Sequence, residues 1–309
     1  MNFADRLKEA ALQKNSVVCV GLDPRLDQIP SFIVNKAVAE HGQTFTAVAN
    51  AFLEFNKGII DAVHDLVPCV KPQIAFYEEY GFQGIWAFEE TCKYARGKGL
   101  LVIADAKRND IGSTAEAYAR AFIGKTDFFG EKLPVMDADA VTVTPYLGYD
   151  GIKPFVKVCK GEGKGVFVLV KTSNPSSGDL QDRVTRDEEI PVYELMGHFV
   201  ESWGAEELGE CGYSSVGAVV GATYPKELKR LREVMPNVIF LIPGYGAQGG
   251  GAEDVKDAFD EDGFGAIVVS ARGVIFAYEK TGATKGGEDF GEAARDAVIK
   301  MNEDLNGVR

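Results

Sequence analysis

Runs of Val, Ile, Leu and Ala recur along the chain at 17–22, 67–70, 100–104, 140–144, 166–170, 216–221, 238–242 and 265–270. Each is short and almost continuously apolar. That is the pattern of a parallel strand covered on both faces, not of a strand with one wet side. Between most of them the spacing lengthens to three or four residues, over 45–66, 85–96, 115–122, 152–160, 192–210, 225–234 and 252–260, and again over 290–304. These stretches predict helices. Phe3, Leu7, Ala10 and Ala11 mark one more helical face at the N-terminus. Eight strands with helices between them predict an α/β fold of the (β/α)8 type, a TIM barrel, with 1–309 as a single domain. A doubly wound open sheet is the competing arrangement. Three connections, 23–44, 123–139 and 172–191, are longer than a strand–helix junction needs. In a barrel the first and third emerge on the face that carries chemistry.

Composition narrows the class. Of 309 residues, 46% are hydrophobic and 26% charged, as in ordinary soluble proteins. The formal charge of −13 argues against nucleic acid as the main partner, because phosphate backbones bind basic faces. It also requires local cations to capture any anionic small molecule. No run has the length of a membrane span, and the N-terminus lacks a signal peptide's apolar core, so a cytoplasmic protein without a membrane partner is expected. Cys19, Cys69, Cys92, Cys159 and Cys211 are scattered and form no C-x-x-C, which reads as reduced thiols, most of them in the core. His41, His64 and His198 lie away from strand ends, so histidine catalysis is not expected.

Familiar nucleotide motifs fail or stay ambiguous. Gly124-Lys125-Thr126 ends like a P-loop, but Ala119 stands where its first glycine belongs. Gly244, Gly246 and Gly249 spell G-x-G-x-x-G after the seventh run, with Asp260 and Asp262 downstream. This suits a dinucleotide fingerprint, the phosphate loop of a barrel, or a plain turn. Both functional readings put an anion against loop amides and the next helix's N-terminus. Arg272, just past the eighth run, is placed to fork onto the same phosphate.

The densest chemistry follows the third run, in VIADAKRNDIGST at 102–114, where Asp105, Lys107, Arg108 and Asp110 fall within six residues. Asp105 and Lys107 are two apart and project to one side of an extended chain. Lys71 and Asp23 follow the second and first runs and reach the same rim. The bland alternative is a rim of structural ion pairs. Alternating charge of this kind suits loss of a carboxylate: Asp105 repels it in the ground state, and Lys107 stabilises and then protonates the carbanion left behind.

This stretch resembles the orotidine 5′-phosphate decarboxylase family, matching its D-x-K-x-x-D-I-x-x-T signature at every fixed place. The likeness extends from Gly21-Leu22-Asp23 to Ser270-Ala271-Arg272 and is closest to the longer bacterial branch. The resemblance implies cofactor-free, metal-free decarboxylation of orotidine 5′-phosphate to UMP in pyrimidine synthesis, with Lys71, Asp105, Lys107 and Asp110 as the charged tetrad and Lys107 as proton donor. It implies that Asp23 and Lys71 hold ribose, that Ser173 reads the pyrimidine edge, and that Gly244, Gln248 and Arg272 bind phosphate. It further implies a homodimer in which Asp110, Ile111 and Thr114 reach the partner's site. For the base-reading residue, Thr172, Ser176 and Ser177 compete with Ser173. Two other functions stay open: a magnesium-dependent β-keto sugar phosphate decarboxylase on the same barrel, and a catalytically silent nucleotide-binding protein.

Overall fold

A computed structural model of the chain describes residues 1–246, 249–280 and 287–309. The strands are β1 (Val18–Leu22), β2 (Cys69–Pro72), β3 (Leu101–Arg108), β4 (Lys125–Phe128), β5 (Glu131–Pro134), β6 (Ala140–Val143), β7 (Gly165–Lys171), β8 (Ser214–Val220), β9 (Val238–Ile242) and β10 (Ala266–Ser270). Eight of them close a parallel barrel in the order β1-β2-β3-β6-β7-β8-β9-β10. The open-sheet alternative is therefore excluded, and with it the crevice a dinucleotide fingerprint needs.

Sequence explains most of the outer ring. Helix Phe45–Val63 buries Phe52, Phe55, Ile59 and Val63, spaced three to four apart, and Thr44 caps it by accepting the Ala47 amide at 3.3 Å. Helix Phe3–Gln13 packs Phe3 edge-on to Phe167 and closes the N-terminal end of the barrel. Its Arg6 donates to Asp139 at 2.8 Å, and Asp139 in turn accepts the Val102 amide. Among the described residues no helix is long and apolar enough to cross a membrane. Four cysteines are buried, Cys211 is half-buried, and none is bonded to another.

Four expectations change. The 23–44 connection contains a helix, Ser31–His41. The 123–139 connection contains the β4–β5 hairpin, whose Phe129 and Gly130 both take positive φ, 49° and 93°, as a tight two-residue hairpin turn requires. The helix expected over 252–260 shortens to Ala252–Val255 followed by a single tight turn, Lys256–Ala258. Finally, β3 does not stop at residue 104 but runs on to Arg108, so Asp105 and Lys107 belong to the strand itself.

Candidate active site

The strands' C-terminal ends surround a cavity of about 460 Å³, lined among others by Asp23, Lys71, Asp105, Lys107, Thr142, Ser173, Gly244 and Arg272. Register puts two of these together directly. Gly21 pairs with Lys71, so Asp23, two residues on, stands beside that lysine. Where β3 meets β6 the register slips: Ala104 pairs with Val141, but Arg108 pairs with Val143. The surplus residues form a bulge, a device that re-aims side chains beside functional sites. Within it Lys107 takes φ +44°, left-handed and costly for a side-chain-bearing residue. The Thr142 hydroxyl oxygen accepts the freed amides of Ala106 and Lys107 at 3.1 and 3.0 Å.

The bulge builds a charged cluster. Lys71 Nζ donates to Asp105 Oδ2 at 2.5 Å, and Lys107 Nζ donates to Oδ1 at 2.6 Å. Thr142 donates to Oδ1 as well, at 2.9 Å. Burial pushes the Asp105 carboxyl up, but the pull of Lys71 and Lys107 outweighs it and holds the group well below the usual carboxylate range. Burial likewise disfavours the Lys71 ammonium, yet Asp105 and Asp23 overcome this and raise it above the ordinary lysine value. Asp23 is the exception. Its Oδ1 is enclosed and has no hydrogen-bond partner, and burial raises its pKa despite Lys71. An unpartnered carboxylate oxygen in a cavity is an acceptor awaiting a donor.

Close backbone approach positions two more groups. A Cβ on Gly21 would lie 2.5 Å from the Ala271 Cβ, so only glycine lets the end of β10 bring Arg272 against β1. A Cβ on Gly221 would lie 2.9 Å from the Ser173 Cα, so glycine at the end of β8 lets the loop after β7 fold over the cavity.

Residues 16–286 match the model of the orotidine 5′-phosphate decarboxylase / HUMPS family. The chain belongs to this family. It is 47% identical over 309 residues to an orotidine 5′-phosphate decarboxylase of Rhodopirellula baltica, covering 99% of this chain and 100% of that one. A Caldicellulosiruptor bescii relative of the same name is 45% identical over 308 residues, covering 100% and 99%. Among solved structures, a putative orotidine 5′-phosphate decarboxylase from Streptomyces avermitilis superposes with a TM-score of 0.79 at 33% identity, covering 99% of this chain and 95% of that one.

Within this family frame, the residues singled out from sequence divide into three groups. Asp23, Lys71, Asp105, Lys107, Ser173, Gly244 and Arg272 all face the one cavity. Asp110, Ile111 and Thr114 do not line it. Asp110 instead accepts the Ile111 amide at 2.8 Å, and Ile111 and Thr114 are exposed. Arg108 also points elsewhere, to Glu78 and over the Tyr118 and Phe122 rings. Gln248 lies outside the described residues.

The phosphate reading of the glycine loop needs correction in detail. The amides of Gly246, Gly249 and Gly250 donate to carbonyls of the loop itself, and that of Gly251 donates to Asp254 at 2.8 Å. The helix that follows is only four residues long, so it offers no developed N-terminal field. Among the described residues, this loop and the next bring Pro243, Gly244, Tyr245, Ala271 and Arg272 to the cavity.

Of the cavity's polar groups, sequence reasoning missed Gln73, Thr142, Asn174 and Tyr245. Threonine inside an apolar run reads as an ordinary β-former, so only the register slip exposes the role of Thr142.

Proposed function

We propose that this chain decarboxylates orotidine 5′-phosphate to UMP and carbon dioxide, using its own side chains and no cofactor. The observation that carries the reading is Asp105 held between Lys71 and Lys107 on the cavity wall. A substrate carboxylate placed near Lys107 meets the fixed negative charge of Asp105. Breaking the bond from C6 to the carboxylate releases carbon dioxide and leaves the electron pair on C6. Lys107 Nζ stabilises that charge and donates a proton to C6, and solvent then reprotonates the lysine. Because Asp105 is already ionised and oriented, the site does not reorganise as charge moves. Contacts remote from C6 supply further binding energy. In this reading Asp23 and Lys71 bind ribose, the unpartnered Asp23 oxygen accepting a hydroxyl. Ser173 faces the base, and Gly244, Gln248 and Arg272 hold the phosphate.

The reading includes a homodimer working on a soluble nucleotide in the cytoplasm. Asp110 and the exposed Leu147 both lie against Gly151, and Ile111, Tyr146 and Tyr149 expose further apolar surface nearby in sequence. A two-fold contact over this patch would carry Asp110, Ile111 and Thr114 toward the partner's cavity.

The test is a spectrophotometric assay with orotidine 5′-phosphate. UMP appearing one for one as orotate absorbance is lost supports the reading. An unchanged spectrum with enzyme in excess over substrate overturns it.

A further inference from the structure

The mechanism above leaves a second buried lysine unused. Lys171, the last residue of β7, is fully buried. It sits at another register slip, where Leu169 pairs with Val219 but Lys171 pairs with Val220. Leu169 lines the cavity and Lys171 does not. Its ammonium lies 4.4 Å from the centre of the Tyr224 ring and donates to Asp182 Oδ1 at 2.5 Å. A buried cation is kept only when it is paired, so this contact fixes the position of Asp182.

Asp182 directly follows the short helix Gly178–Gln181, and Gln181 grips the chain back at the start of the loop. The Thr172 amide donates to Gln181 Oε1 at 3.0 Å, and Gln181 Nε2 donates to the Thr172 hydroxyl at 2.8 Å. That hydroxyl continues to Asn174 Oδ1 at 2.6 Å. Tyr224, beneath the lysine, donates to the Asn174 carbonyl at 3.3 Å. Thr172, Ser173 and Asn174 line the cavity. The chain of contacts therefore starts at a buried charge outside the cavity and ends at the three side chains that face its contents.

We propose that Lys171, Asp182 and Gln181 are positioning residues: the Lys171–Asp182 ion pair latches the loop after β7 so that Thr172, Ser173 and Asn174 meet the base of the bound nucleotide. This rests on the decarboxylase reading for the identity of that nucleotide. The latch acts on the base alone, because ribose and phosphate contacts come from other strands.

Titration calorimetry with UMP and with ribose 5-phosphate, which lacks the base, separates this role from a general structural one. Asp182→Ala breaks the ion pair. Gln181→Ala breaks the grip without leaving a buried charge, and so serves if the first variant is poorly folded. Both are expected to weaken UMP by about tenfold or more, the scale of one lost charge-assisted or paired hydrogen bond, and ribose 5-phosphate by less than about twofold. Asp182→Glu should recover part of the loss, and kcat/KM for orotidine 5′-phosphate should fall mainly through KM. Unchanged UMP affinity in Gln181→Ala overturns the proposal, as does an equal loss for both ligands. If the wild-type protein binds UMP no tighter than ribose 5-phosphate, the nucleotide reading itself fails and the latch has no base to serve.

Discussion

Thr142 donates its hydroxyl hydrogen to Asp105 Oδ1 at 2.9 Å while its oxygen accepts the backbone amides of Ala106 and Lys107. One side chain thus caps the bulge in β3 and orients the carboxylate between the two lysines. Thr142→Val keeps the shape but leaves those amides without their partner. Kinetic assay and thermal unfolding should together register a loss of roughly 1–3 kcal/mol, divided between kcat/KM and stability. Thr142→Ser should restore most of it. Wild-type kcat/KM and melting temperature in the valine variant would show that the bulge holds itself.

Asp23 should exchange stability for binding. Its pKa is raised by burial, so above that pKa the ionised form costs folding free energy. Below the ordinary carboxylate range both folded and unfolded chains are protonated and the cost disappears. Asp23→Asn should therefore raise the melting temperature at neutral pH, and the gain should fade as the solution is acidified. With Asp23 binding ribose as proposed, the same variant should lose about 1–3 kcal/mol in kcat/KM, since a charged acceptor becomes a weaker neutral one. A melting temperature that falls at neutral pH would mean that attraction to Lys71 outweighs burial.

Asp105 has the opposite sign. Its pKa is depressed by Lys71 and Lys107, so its stabilising contribution is complete above the ordinary carboxylate range and is lost only as pH falls through the depressed value. The pH profile of kcat should accordingly show no step from Asp105 in mildly acidic solution. Such a step, abolished in Asp105→Asn, would contradict the charge assignment.

Arg272 opens a short helix at the end of β10 and stands exposed at the cavity mouth. Arg272→Ala should cost roughly 1.5–3 kcal/mol in kcat/KM for the nucleotide, the range for hydrogen bonds to charged groups. Activity on the nucleoside lacking phosphate should hardly change. Equal damage to both substrates assigns the arginine to structure.

How legible this site was depended on which residues interrupt an apolar run. Lys71, Asp105 and Lys107 stand out because charge at the end of a buried strand needs a reason; their strand positions bring them to one rim, and the bulge in β3 completes the cluster. Thr142 is invisible for the converse reason, since it belongs to the run it sits in. The barrel follows from eight apolar runs, whereas the β4–β5 hairpin does not. Its strands are largely exposed and carry no alternation, and Phe129 at its tip is 96% exposed, so a turn rather than burial specifies it. The glycine loop is legible only in part, because glycine spacing records only what the backbone is free to do. Where the amides of Gly246 and Gly249 point is decided by the loop's own hydrogen bonds.

The shared-site reading of Asp110 has a complementation test. Lys107→Ala and Asp110→Asn homodimers should each be nearly inactive. In a mixed dimer one site takes both lesions and the other takes neither. Random exchange makes about half the dimers mixed, so about a quarter of wild-type activity should return on mixing. If subunit exchange is confirmed by mass and no activity appears, Asp110 serves its own chain.

The most direct measurement is turnover of orotidine 5′-phosphate by the wild-type chain and by Lys107→Ala, with folding of both checked by thermal unfolding. The expected result is conversion to UMP by the wild type and essentially none by the folded variant, since the proposed mechanism makes Lys107 both the stabilising cation and the proton donor. A variant that keeps more than about a tenth of wild-type kcat, a loss below ~1.4 kcal/mol, would show that Lys107 is not the catalytic acid.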